Sequence, residues 1–209
     1  MPSIHDLLSA LSQQRPVFHS EADFQFALAW AWQQADPDAA IRLEYRLPGE
    51  GTRDYADLWI RESAESRYFE LKYWTRPFDA EVNGERFVLT NQGAHDLSRY
   101  DFVKDLGRVG RTIQSGYASS GGVIAITNDP AYWNESNRST PTIDAAFRLD
   151  EGRVLTGELA WAATAGGTIR KRERSIYLIG LHECHWQPYS RGGEFRYLYV
   201  PVGDGAHRT

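Results

Sequence analysis

The sequence predicts an α/β fold: a helix, three strands, a second helix and a fourth strand form a core over residues 20–128, and a β-rich extension follows over residues 140–203. Three observations predict it. Apolar residues recur with helical spacing near the start of the core and again near residue 100, but alternate strictly in the segments between. The chain has 209 residues with 42% hydrophobic and 24% charged, enough apolar material for one sizeable core and too much for a disordered chain. No internal repeat, low-complexity tract or linker divides it, so residues 1–209 are expected to form a single domain.

The elements follow in order. Ser20 can cap a helix that runs to about Gln34, with Asp23 placed as in a variant capping box and Pro37 beyond its end. Phe24, Ala27, Leu28 and Ala31 form its apolar stripe. Residues 41–47 alternate through Ile41, Leu43, Tyr45 and Leu47 as a strand does, and Pro48-Gly49-Glu50-Gly51 turns the chain. Tyr55–Ile60 and Tyr68–Trp74 supply the second and third strands, and a polar loop comes next. A long helical pattern covers about Leu97 to Tyr117. Gly122–Asn128 is rich in β-branched residues and reads as a buried strand. Val154–Trp161, Ser175–Trp186 and Glu194–Val202 read as hairpin strands, the last two flanking a turn at Ser190-Arg191-Gly192-Gly193.

Charge and cysteine content narrow the function classes. The excess of acidic over basic residues gives a net charge of −5, which argues against a protein coated in positive charge but leaves room for a local basic groove. A single cysteine, Cys184, and an N-terminus without a leader pattern point to a reducing, cytoplasmic setting. No apolar run approaches the ~20 residues of a membrane span, so no membrane association is expected.

Strand alternation brings the chemistry together. In YADLWI, Ala56, Leu58 and Ile60 share one face, read as core, and Tyr55, Asp57 and Trp59 the other. In YFELKYW, Phe69, Leu71 and Tyr73 read as core, and Tyr68, Glu70, Lys72 and Trp74 share the opposite face. Two neighbouring strands can therefore present Asp57, Glu70 and Lys72 side by side. Two carboxylates so close repel unless a cation lies between them. Mg²⁺, a hard ion, takes one or two carboxylates plus waters and phosphate oxygens. A lysine beside it can hold, or help deprotonate, a water that attacks phosphorus. The bland alternative is a solvated charged face, against which the interleaved Tyr55, Trp59, Tyr68 and Trp74 argue.

Asp57 followed by Glu70-Leu71-Lys72 resembles the motif of the PD-(D/E)xK nuclease superfamily, which has the restriction-endonuclease-like fold. Ala56 stands where the motif name has proline. The resemblance covers residues 20–128 and leaves the C-terminal third unaccounted for. It implies a Mg²⁺- (or Mn²⁺-) dependent nuclease, with DNA the expected polymer and a homodimer compatible with the family. It also implies Asp57 and Glu70 as metal ligands, the backbone carbonyl of Leu71 as a further ligand, and Lys72 as the water-positioning lysine. Glu21 matches a first-helix glutamate of many members; its bland alternative is an acid favoured by the helix dipole. A catalytically inactive nucleic-acid-binding or protein-interaction module of the same fold is the alternative function.

Other groups are supporting candidates. Lys104, Arg108 and Arg111 form a row on the second helix that can track a phosphate backbone, or simply a solvated edge. Gln92, Arg99 or Asp101 could complete the site. The run at residues 170–174 can guard a strand edge or grip nucleic acid. His182, Cys184 and His185 lack zinc-finger spacing and read as ordinary strand.

Overall fold

The computed structural model describes residues 2–48, 55–136, 139–163, 166–190 and 194–203. Most of the turn expected at 48–51, and residues 191–193 of the later one, lie outside the described residues. The elements are α1 (Ile4–Gln14), α2 (Glu21–Ala35), β1 (Ala40–Arg46), β2 (Tyr55–Glu62), β3 (Glu65–Trp74), β4 (Phe78–Val82), β5 (Glu85–Leu89), α3 (His95–Gln114), β6 (Ser120–Thr127), β7 (Val154–Leu159), β8 (Ile176–Glu183), β9 (Trp186–Pro188) and β10 (Arg196–Gly203). The fold is mixed α/β, with three helices around a sheet-rich body.

The main sheet has the order β1-β2-β3-β6-β10-β9. β3 and β6 run parallel from Arg67↔Ser120 to Trp74↔Thr127, joined through α3, while the other pairs are antiparallel. Both faces of this sheet are covered, so its central strands are apolar on both sides. On one face Leu58, Ile60, Phe69, Leu71, Tyr73, Ile124 and Ile126 pack with α1 and α2 through Leu8, Leu28 and Trp32. On the other, Trp59, Tyr68, Trp74, Val123 and Ala125 pack with Phe102, Val103, Leu106 and Val109 of α3. β7 and β8 form a separate ribbon beyond α3, and a methyl added at Gly107 would lie 3.4 Å from Ile176 Cγ2.

Four expectations are corrected. Residues 4–14 form an additional helix: Ser3 Oγ accepts from Asp6 N at 3.1 Å, and Ile4, Leu7, Leu8 and Leu11 bury against the α2 side. The polar loop after β3 contains the hairpin β4–β5, whose Asn83 and Gly84 have φ of 53° and 80°, as a tight primed turn requires. The C-terminal segments do not form one hairpin series. β8 pairs with β7, whereas β10 joins the main sheet beside β6 and β9 pairs with β10. Finally, Ala56 does not stay with Leu58 and Ile60 but joins the cluster around Trp59. A break in the β1–β2 ladder lies next to it. Glu44 has a φ of 49°, and the β1–β2 register skips the Glu44–Asp57 pair. The register resumes unshifted at Tyr45↔Ala56, and Tyr45 stacks on Trp59 at 5.0 Å.

Among the described residues no helix is long and apolar enough to cross a membrane.

Candidate functional site

The site lies where β2 and β3 part. Their register ends at Leu58↔Phe69, but β3 continues to Trp74 along β6. The β2-side edge of β3 beyond Phe69 therefore needs other partners for its amides. Asp57 Oδ2 accepts from Leu71 N at 2.7 Å, and Glu21 Oε2 accepts from Tyr73 N at 2.9 Å. Successive amides on one strand edge are thus taken by two carboxylates. N–H and C=O of a strand residue point to the same edge, so the Leu71 carbonyl also faces the gap. Gln25, one turn after Glu21 on α2, completes the substitution by donating to the Asp57 carbonyl at 2.6 Å and to Glu44 Oε1 at 2.9 Å.

Glu70 and Lys72 project from β3 towards α3. Glu70 is 1% exposed. Its Oε2 lies 2.6 Å from Arg108 Nη2, and its Oε1 accepts from the Tyr68 hydroxyl. Lys72 Nζ lies 2.9 Å from Asp105 Oδ2, and Arg108 Nη2 lies 3.0 Å from Asp105 Oδ1. Asp105 and Arg108, three residues apart on α3, together bind both charged side chains of the strand.

The electrostatics tie these groups into one field. Burial pushes Asp57 above the ordinary aspartate value, against the opposing charge of Lys72. Burial likewise raises Glu21, whose residue is exposed overall but whose carboxylate turns inward to Tyr73. Glu70 is raised well above the usual carboxylate range, by burial first and then by the negative charges of Asp105 and Asp57. For Lys72, burial works downwards, but Asp105, then Asp57, Glu70 and Glu21 outweigh it and its pKa is raised. Lys72 therefore holds its proton at neutral pH. It can donate a hydrogen bond to a water but cannot act as a base towards it.

The other sequence candidates disperse. Lys104 and Arg111 are exposed, whereas Arg108 turns inward, so the three do not make one solvent-facing row. Arg99 pairs with Asp144 at 2.5 Å and Asp101 with Arg172 at 2.6 Å, both towards the C-terminal region, and the Gln92 amide caps Thr75 O. Arg172 of the basic run is thereby pinned, while Arg170, Lys171 and Arg174 are exposed. His182 Nε2 contacts Ile179 O, His185 sits between Glu183 and Glu151, and burial pushes the Cys184 thiol up to about 12. Asp105 is the functional candidate that sequence reasoning missed, because it reads as mere dilution of a basic row. Only its spacing to Arg108 hints at more.

The donors suit a hard divalent cation. Asp57, Glu70 and Glu21 offer carboxylate oxygens near a strand carbonyl, and Asp57 and Glu70 repel each other. As they stand, no three His, Cys, Asp or Glu side chains among the described residues are gathered closely enough to hold an ion. Glu70 is turned to Arg108 instead. No known family model matches the chain, and neither does any curated protein or solved structure.

Proposed function

We propose that the chain is a metal-dependent nuclease of the PD-(D/E)xK kind that hydrolyses phosphodiester bonds, with DNA as the expected polymer. The observation that carries this reading is that Asp57 and Glu21 take the β2-side amides of β3 beyond Phe69, while Lys72 of the same stretch lies in the field of both and of Glu70. The element order α2-β1-β2-β3-α3-β6, with β3 parallel to β6, supports a restriction-endonuclease-like core, into which the β4–β5 hairpin is inserted.

Asp57, Glu70 and the Leu71 carbonyl, helped by Glu21, would hold Mg²⁺ or Mn²⁺. Bound there, the ion supplies polarisation of the phosphoryl oxygen and compensation of charge on the leaving oxygen. Lys72, kept as an ammonium by its carboxylate neighbours, orients the attacking water by donating to its oxygen. Asp105 fixes the Lys72 ammonium in place. Lys104 and Arg111, exposed on α3, neutralise flanking phosphates. An ion held there would offset the acidic site's charge, which reconciles nucleic-acid binding with a net charge of −5.

The test is incubation of the purified protein with supercoiled, linear and single-stranded DNA in Mg²⁺, Mn²⁺ or EDTA. Cleavage is expected with metal only, and is lost in Lys72→Ala and Asp57→Asn. Cleavage unchanged in both variants would assign the activity to a contaminant. One observation favours the alternative, a catalytically inactive nucleic-acid-binding module: Glu70 is already paired with Arg108 and Tyr68. Metal-independent DNA binding without cleavage would select that reading.

A further inference from the structure

We propose that Arg108 is a resident counter-cation which a divalent ion displaces from Glu70, and that the released guanidinium then binds the phosphodiester, so that ion and substrate load the site together. The phosphodiester half of this proposal rests on the nuclease reading; the exchange of cations does not.

A carboxylate as buried as Glu70 must be compensated wherever the ion is absent. Arg108 supplies that compensation at 2.6 Å. The two partners differ in freedom: the Glu70 side chain is 2% exposed and that of Arg108 is 20% exposed. Glu70 is the enclosed partner, while Arg108 already reaches solvent in part. Asp105 lies 3.0 Å from Arg108 and 2.9 Å from Lys72, so an Arg108 that leaves Glu70 remains anchored beside the lysine.

Charge counting points the same way. Glu21, Asp57, Glu70 and Asp105 face Lys72, and Arg108 faces Glu70 and Asp105. Four carboxylates against two cations leave two negative charges, the number one divalent ion neutralises. Once the ion holds Glu70, the guanidinium keeps Asp105 and can turn its other donors to an incoming anion. Its planar fork suits the paired oxygens of a phosphodiester, which brings one negative charge. The sequence row of Lys104, Arg108 and Arg111 acquires a different meaning: its middle member is stored inside the site until the ion arrives.

The experiment is calorimetric titration of Mn²⁺ into the full chain without nucleic acid. Arg108→Met is expected to bind Mn²⁺ about tenfold more tightly than the parent, because no guanidinium competes for Glu70. Equal or weaker binding overturns the proposal. Arg108→Lys, which keeps a cation but not the fork, serves if Arg108→Met does not fold. It is expected to fall between the two, and parent-like affinity in it overturns the proposal. A second arm measures oligonucleotide binding by fluorescence anisotropy in the Lys72→Ala background, where cleavage is blocked. Mn²⁺ is expected to tighten binding with Arg108 present and not in Arg108→Met; a gain that persists without Arg108 overturns the phosphate role. Tighter Mn²⁺ binding with no DNA cleavage would sustain the exchange and defeat the nuclease reading. Absence of Mn²⁺ binding in both parent and Arg108→Met defeats the exchange whatever the cleavage assay gives.

Discussion

Phe69, Leu71 and Tyr73 point from β3 to the α2 side, where they meet Leu28, Trp32 and Ile124. Tyr68, Glu70 and Lys72 point from the same strand to the α3 side, where Glu70 and Lys72 meet Arg108 and Asp105. Both sides are buried, but for opposite reasons. The first gains free energy by removing apolar surface from water. The second gives up solvation of four charged groups and recovers it through short ion pairs, which rarely exceed what apolar residues of equal volume would give. Stability alone does not call for the second face, and it is there that the proposed chemistry would take place.

The contrast is sharpest in the response to truncation. Phe69→Ala should cost about 3–5 kcal/mol, since a buried aromatic leaves a cavity that its neighbours cannot fill. Urea unfolding curves measure this, and a cost below that of any α3-side substitution would invert the comparison. Lys72→Met should be next, at about 2–3 kcal/mol, because Asp105 is left buried without its ammonium. The double variant Lys72→Met/Asp105→Leu should recover to within about 1 kcal/mol of the parent or exceed it. No second substitution on the Phe69 side has that effect. Failure of the double variant to recover would mean that the ion pair is itself a net source of stability.

A smaller effect lies at the start of α2. Ser20 Oγ accepts from Asp23 N at 3.2 Å, so Ser20→Ala should cost about 1 kcal/mol. The same substitution loosens the turn that carries Glu21. Hydrogen exchange at the Tyr73 amide should therefore rise in Ser20→Ala, and unchanged protection there would separate the cap from the site.

The last effect is one of slope. Asp57 and Glu21 have folded pKa values above their ordinary 3.8 and 4.5. Raised carboxyl groups bind more protons folded than unfolded, so their contribution to stability falls as pH rises through the interval from those ordinary values to the raised ones. Acidification through the same interval, in EDTA, should therefore favour the folded parent relative to Asp57→Asn, in which one of these groups no longer titrates. Urea midpoints for the two proteins that run parallel across the interval would place the Asp57 carboxylate in solvent.

Much of this was legible locally. Alternation in residues 68–74 separates the two faces of β3 correctly because side-chain direction in a strand depends only on the residue's own position. The Ser20 cap and the Phe24, Ala27 and Leu28 stripe place α2 for the same reason. Asn83-Gly84 was an equally local hairpin signal between the strands of residues 78–89, although the polar loop around it concealed the strands. Other features had no local signature. Ala56 and Tyr45 lie beside a break in the β1–β2 ladder where Glu44 adopts a left-handed φ, which nothing in its immediate neighbours demands. Arg108 faces inward to Glu70, a residue of another element that only the packing of α3 on β3 brings to it.

By itself, then, the sequence determined the alternation that puts a carboxylate and a lysine on one side of β3, and the capped helix that brings a third acid to its edge. Those are consequences of backbone periodicity and of hydrogen bonds made within a few residues. Only the tertiary structure decided where the strands part, which amides are left for Asp57 and Glu21 to accept, and which α3 side chains meet Glu70 and Lys72. Such contacts join residues far apart in the chain, and their geometry follows from the packing of layers on both faces of the sheet.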